Sequence, residues 1–250
     1  MAIADEQMSL CYPPGNQLAS EVHTMPAKNA DLHGSAPDKC EVALLIIDMI
    51  NDLEFPEGEM ILPQALKVAK RIAALKARSV EAGVPVIYVN DNFGRWRSDF
   101  SAQVDHCLHD GVRGEKLTEL LQPGTDDYFV LKPKHSGFYS TSLELLLDYL
   151  QARTLILTGI AGNICVLFTA NDAYQRDFHL LVPADCTASN TCAENEAALE
   201  QMKLVLKADT RAAAEIELPR PGATGTKAQH RGSSGLVEGN CLLSQRDNGM

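Results

Sequence analysis

No apolar stretch in the chain is long enough to cross a bilayer: the longest, "VALLII", has six residues, against the roughly 20 a spanning helix needs. The N-terminus, "MAIADEQMSLCYPP", has neither a basic start nor an apolar run of leader length, so no secretory leader is expected and the chain reads as cytoplasmic. Positive charge is scarce. With 22 Lys and Arg against 33 Asp and Glu, the formal net charge of −11 argues against nucleic acid or an anionic membrane as the main partner. Cys-x-x-Cys pairs are absent as well. The seven cysteines (Cys11, Cys40, Cys107, Cys165, Cys186, Cys192 and Cys241) are odd in number and scattered, which fits free thiols better than a disulfide framework or a zinc site. No internal repeat is visible.

What remains is an ordinary globular composition, 45% hydrophobic and 22% charged, in 250 residues, enough for a core that needs no covalent staple. Residues 1–39 and 219–250 mix Pro, Gly, Ser and Asn without periodicity and read as flexible tails around one domain at 40–218. Within that domain strand and helix patterns alternate. "EVALLIID" (41–48) is a continuous apolar run suited to a strand buried on both faces, and a helix is expected over 63–83, opened by Pro63 and closed by Gly83. Strands at 84–90, 128–133, 154–160 and 178–185 and helices at 140–152, about 164–176 and 193–208 complete the pattern. Repeated βαβ units predict an α/β fold of three layers, α/β/α, around a mostly parallel sheet.

Three polar residues fall at the carboxyl ends of these strands, the edge at which such sheets bind ligands. Asp48 ends the first, Lys132 lies at the end of "YFVLK", and Cys165 follows "TLILTGI" at the opening of a helix. Taken singly, each has an ordinary alternative: a buried cysteine, a turn aspartate, a solvated lysine. Together they form an acid, a base and a thiol suited to nucleophilic acyl transfer. A helix N-terminus and a nearby ammonium both favour thiolate, so a lowered thiol pKa is expected for Cys165. Asp48 is suited to accept the thiol proton. The amides of "IAGNIC" are suited to hold an oxyanion, with Gly159 and Gly162 supplying backbone freedom.

The segments "ALLIIDMINDL", "VLKPKHSGFYSTSLELLL" and "LILTGIAGNICVLFTANDAYQRDFHLLVPADCTAS" together resemble the isochorismatase-like cysteine hydrolases, the superfamily of nicotinamidases, N-carbamoylsarcosine amidases and isochorismatases. The likeness spans about residues 42–190 and rests on Asp-Met-x-Asn-Asp, Lys four residues before Ser-x-Phe, and Gly-x5-Cys-Val followed by Thr-Ala-x-Asp-Ala. It implies Cys165 as nucleophile, Asp48 as general base and Lys132, not Lys134, as third member. It also implies a cis peptide between Ile160 and Ala161, with the Ala161 and Cys165 amides as the oxyanion hole. Homo-oligomers are common among such relatives.

Two features narrow the branch. Isochorismatases of this superfamily lack the cysteine that stands here at 165, so attack on an amide, ureido or lactam carbonyl of a small molecule is favoured. Nicotinamidases carry a histidine-rich metal site after the second strand, where this chain has "VNDNFGRWRSDF", so neither metal nor other cofactor is expected. His106 and His109, three residues apart, lack a convergent third ligand. Asn92, Arg95, Trp96 and Arg97 are placed at the pocket mouth, where an arginine would pair with a substrate carboxylate and the indole would stack on a planar group. Phe55 and Phe138 are either its apolar wall or core. The alternatives are isochorismatase-type or nicotinamidase activity, or a non-catalytic binding module on the same fold.

Overall fold

The computed structural model describes residues 39–94 and 99–219. Its sheet is built from β1 (Val42–Ile47), β2 (Val86–Asp91), β3 (Tyr128–Lys132), β4 (Thr154–Ile160), β5 (His179–Leu181) and β6 (Thr187–Ala188). All pairings are parallel, in the order β3-β2-β1-β4-β5, with β6 also pairing with β4. Side chains alternate across the strands, so each face buries its own set. Leu44, Ile46, Val86 and Tyr88 pack against α1 (Gly58–Glu81), α2 (Phe100–His109) and α3 (Glu115–Leu120). Ala43, Leu45, Ile47, Ile87, Val89, Leu155 and Leu157 pack against α4 (Leu143–Leu150), α5 (Leu167–Tyr174) and α6 (Cys192–Val205). This is the expected three-layer α/β/α arrangement.

Strand order locates the site. The chain winds outward from β1 to β2 and β3, then returns to the other side of β1 for β4. The direction of winding therefore reverses between β1 and β4, and a crevice opens there beyond the carboxyl ends of the strands.

Helix boundaries depart from the sequence pattern where tertiary contacts intervene. α1 starts at Gly58, ahead of Pro63, which lies inside it on the exposed face. Gly58 sits against the Leu53 backbone, where a Cβ would collide, and Ile61 enters the core, so contacts before the proline set the start. α2 and α3 were not anticipated. α2 buries only Phe100 and Cys107, too few for a helical stripe, and covers the sheet by stacking Phe100 on Phe129 of the edge strand β3 with ring centroids 5.0 Å apart. The helix expected from about residue 164 begins earlier, as a π turn over Gly162–Val166 that runs into α5.

Candidate active site

Asp48 leaves β1 in the left-handed region at φ 52°, a conformation aspartate tolerates better than bulky residues do, and its side chain turns into the crevice nearly buried. One carboxylate oxygen accepts the Asp91 amide at 2.8 Å, and the other meets Lys132 Nζ at 2.9 Å. Lys132, the last residue of β3, is wholly buried, at 0% exposure. Register explains its arrival: Asp91 of β2 pairs with Lys132, and Ile47 of β1 pairs with both Val89 and Gly159. The three strand ends are thus brought level. The Lys132 ammonium also lies 3.5 Å from an Asp91 carboxylate oxygen and donates to Cys165 Sγ at 3.6 Å, while the Cys165 thiol and the Asp48 carboxylate are hydrogen-bonded.

The electrostatics reverse one expectation. Burial pushes the Cys165 thiol above its ordinary pKa, the neighbouring Asp48 carboxylate pushes it further, and the Lys132 ammonium only partly offsets them. The thiol pKa is raised, not lowered, because burial disfavours the thiolate and a carboxylate faces the sulfur. Burial also raises Asp48 above the usual carboxylate range, against the pull of Lys132. For Lys132, burial acts to release the proton, but Asp48, Cys165 and Asp91 outweigh it and hold the ammonium.

The turn carrying Cys165 is fixed from several sides. Gly159 has φ 116°, and a Cβ there would meet the Ile47 backbone, so close approach of β4 to β1 requires glycine. The Ile160–Ala161 peptide is cis. The Ala161 carbonyl closes the turn, accepting both the Ile164 and the Val166 amides, each at 3.1 Å. Thr169 Oγ1 donates to the Cys165 carbonyl at 2.7 Å and accepts the Gly137 amide at 2.9 Å.

Of the other residues singled out in the sequence, Asn92 is buried just past β2; its amide donates to the Lys132 carbonyl at 2.9 Å and its side chain accepts the Gly94 amide at 2.9 Å. Phe55 is exposed on the loop between Asp48 and α1. Phe138 is buried in the core. Its ring packs with Phe178 at 6.0 Å and under the Arg176 guanidinium at 4.8 Å, beyond the C-terminal end of α5, whereas Cys165 precedes its N-terminal end. Arg95, Trp96 and Arg97 lie outside the described residues. His106 pairs with Asp110 at 2.7 Å and with Asp52 at 3.4 Å. Among the described residues no group of three or more His, Cys, Asp and Glu is arranged to hold a metal ion.

Sequence reasoning did not assign Asp91 to the trio, although it ends β2 beside Lys132 as the other two polar residues end their strands. It also missed Ser189, whose hydroxyl accepts the Asn163 amide at 3.1 Å. A separate cleft of about 440 Å³ lies between α1 and the start of α6, lined by residues that include Arg71, Asp185, Ser189 and Asn195 but none of Asp48, Lys132 or Cys165.

Residues 42–214 match the family model described as the isochorismatase domain. The uncharacterized isochorismatase family protein YaaI of Bacillus subtilis (strain 168) is 46% identical over 171 residues, covering 68% of this chain and 93% of its own. Ureidoacrylate amidohydrolase RutB of Methylorubrum extorquens (strain DSM 6343 / CIP 106787 / DM4) is 28% identical over 193 residues, covering 66% and 75%. Among solved structures, N-carbamoylsarcosine amidase from Thermoplasma acidophilum superposes with a TM-score of 0.57 at 28% identity, over 71% of this chain and 99% of that one.

Proposed function

The chain belongs to the isochorismatase family, and from that membership we propose that it is a cysteine hydrolase opening the C–N bond of a small amide, ureido or lactam substrate through a thioester on Cys165. One observation carries this reading: Cys165, Asp48 and Lys132 meet at the carboxyl edge of the sheet, thiol against carboxylate against ammonium. Two relatives lend it a direction. The names of RutB and of N-carbamoylsarcosine amidase both describe action on compounds that carry a ureido group, and ureido compounds are the first substrates to test.

In the proposed sequence Cys165 Sγ attacks the carbonyl carbon as its proton passes to Asp48. With the thiol pKa raised, proton transfer accompanies attack in place of a standing thiolate. The oxyanion is received by the Ala161 and Cys165 amides. Collapse breaks the C–N bond, and Asp48 returns the proton to the departing nitrogen. Water, deprotonated by Asp48, then cleaves the thioester and restores the thiol. A primary amide gives a carboxylic acid and ammonia; a ureido compound that loses its terminal nitrogen leaves an S-carbamoyl group on Cys165, which water releases as a carbamate, with ammonia as the other product. Lys132 keeps Asp48 ionised and oriented between the two half-reactions. Arg95 or Arg97, which follow β2 in the sequence, is proposed to bind a substrate carboxylate.

The test is a panel of ureido compounds, simple amides and lactams assayed for product, with ammonia release followed for the first two. Turnover of at least one compound is expected from the wild type, a covalent adduct on Cys165 by mass spectrometry, and no turnover from Cys165→Ala. Undiminished turnover in that variant would sink the assignment.

A further inference from the structure

We propose that Ser189 and Asn195 are positioning residues that hold the Ala161–Cys165 turn so that its amides meet the oxyanion. This rests on the reading of Cys165 as nucleophile.

Behind the turn, the chain makes a bracket from residues far away in sequence. The two residues of β6 pair with the last two of β4, Thr187 with Gly159 and Ala188 with Ile160, directly before the turn. The next residue, Ser189, is 1% exposed; its hydroxyl accepts the Asn163 amide at 3.1 Å and donates to Asn195 Oδ1 at 3.3 Å. The Asn195 amide group donates to the Thr187 carbonyl at 3.2 Å and its hydroxyl at 3.3 Å, closing the bracket. Asn195 is itself held in register by the N-terminus of α6, where Thr191 and Glu194 form a reciprocal capping box. Packing is tight enough that a Cβ on Gly162 would run into both Asn195 Oδ1 and Ser189 Oγ.

Neither residue reaches the trio, so an effect on chemistry must pass through the turn. Hydroxyl and carboxamide fix the Asn163 amide; that fixes the peptide planes on either side and the direction in which the Ala161 and Cys165 amides point. An oxyanion hole works only when its donors are already aimed at the developing charge, and misdirecting one donor lowers the rate by about tenfold or more.

Two reagents separate this role from a structural one, because both form a bond to Cys165 Sγ but only one passes through an oxyanion. Iodoacetamide is attacked at its CH2 carbon, iodide leaves, and the thiol proton goes to Asp48; no carbonyl oxygen takes up charge. With p-nitrophenyl acetate the sulfur adds to the carbonyl, the oxygen becomes an oxyanion, and p-nitrophenolate departs to leave an S-acetyl group. Rates at the Cys165 peptide are followed by mass spectrometry in the full chain for the wild type, Ser189→Ala and Asn195→Ala, with the buried Cys107 and Cys186 as internal reporters of folding.

The expected result is acetylation of Cys165 slowed by about tenfold or more in both variants, with alkylation within about twofold of wild type and Cys107 and Cys186 still protected. If Ser189→Ala exposes the buried thiols, Asn195→Ala decides. Acetylation unchanged, or both reactions slowed equally, overturns the positioning role. Failure of wild-type Cys165 to acetylate at all overturns the nucleophile reading instead.

Discussion

Lys132 is the residue on which the site turns, since a wholly buried ammonium is tolerated only among compensating charges. Asp48 and Asp91 provide them at 2.9 and 3.5 Å. Asp48→Asn removes both the proposed proton acceptor and the nearer counter-charge, and a fall in kcat of about a thousandfold or more is expected. Adding Lys132→Ala should deepen the loss little, because the residues act as a unit. The acid limb of the pH profile follows from the direction of the Asp48 shift. In the proposed reaction Asp48 works ionised, and its pKa lies above the ordinary 3.8, so kcat/KM is expected to be full at higher pH and to fall, on acidification, at a pH above 3.8. An acid limb at or below that value would contradict the burial argument.

At the scale of elements, the β1–β4 pair is the seam that brings Asp48 and Cys165 together, and Gly159 is its narrowest point. Any side chain there must adopt φ 116° and drive its Cβ into the Ile47 backbone. Gly159→Ala is therefore expected to destabilise the fold by roughly 3 kcal/mol or more. Equilibrium urea unfolding measures it, and a change under about 0.5 kcal/mol, the range of neutral surface substitutions, would show that the seam yields. A π turn leading into α5 lets the backbone reach from the cis Ile160–Ala161 peptide to the helix while keeping Cys165 over the seam.

For the molecule as a whole, the two packed faces of the sheet lie within residues 40–218. A chain reduced to residues 39–219 holds both, and is expected to melt within a few degrees of the full chain and to keep the rate of Cys165 acetylation. Calorimetry on the two chains checks the first and mass spectrometry the second. A larger drop in Tm would assign a stabilising contact to the removed segments.

Much of this was written in the sequence because it is local. Continuous apolar runs such as "VALLII" and "TLILTGI" specify strands buried on both faces, and a polar residue at the end of a strand or in the turn after it is delivered to the sheet's carboxyl edge whatever the strand order; Asp48 after β1, Lys132 at the end of β3 and Cys165 in the turn after β4 were legible for that reason. Other features depend on groups distant in the chain. Strand order, and with it the reversal between β1 and β4, follows from which runs pair and not from any one of them. α2 has too thin an apolar stripe to announce itself, and the start of α1 depends on Gly58 meeting Leu53. Phe138 reads equally as wall or core until Phe178 and Arg176 close over it. The thiol shift changed sign because charge and helix position can be read from sequence, whereas burial cannot: the desolvation that dominates Cys165 exists only once both layers of helices have closed over the sheet.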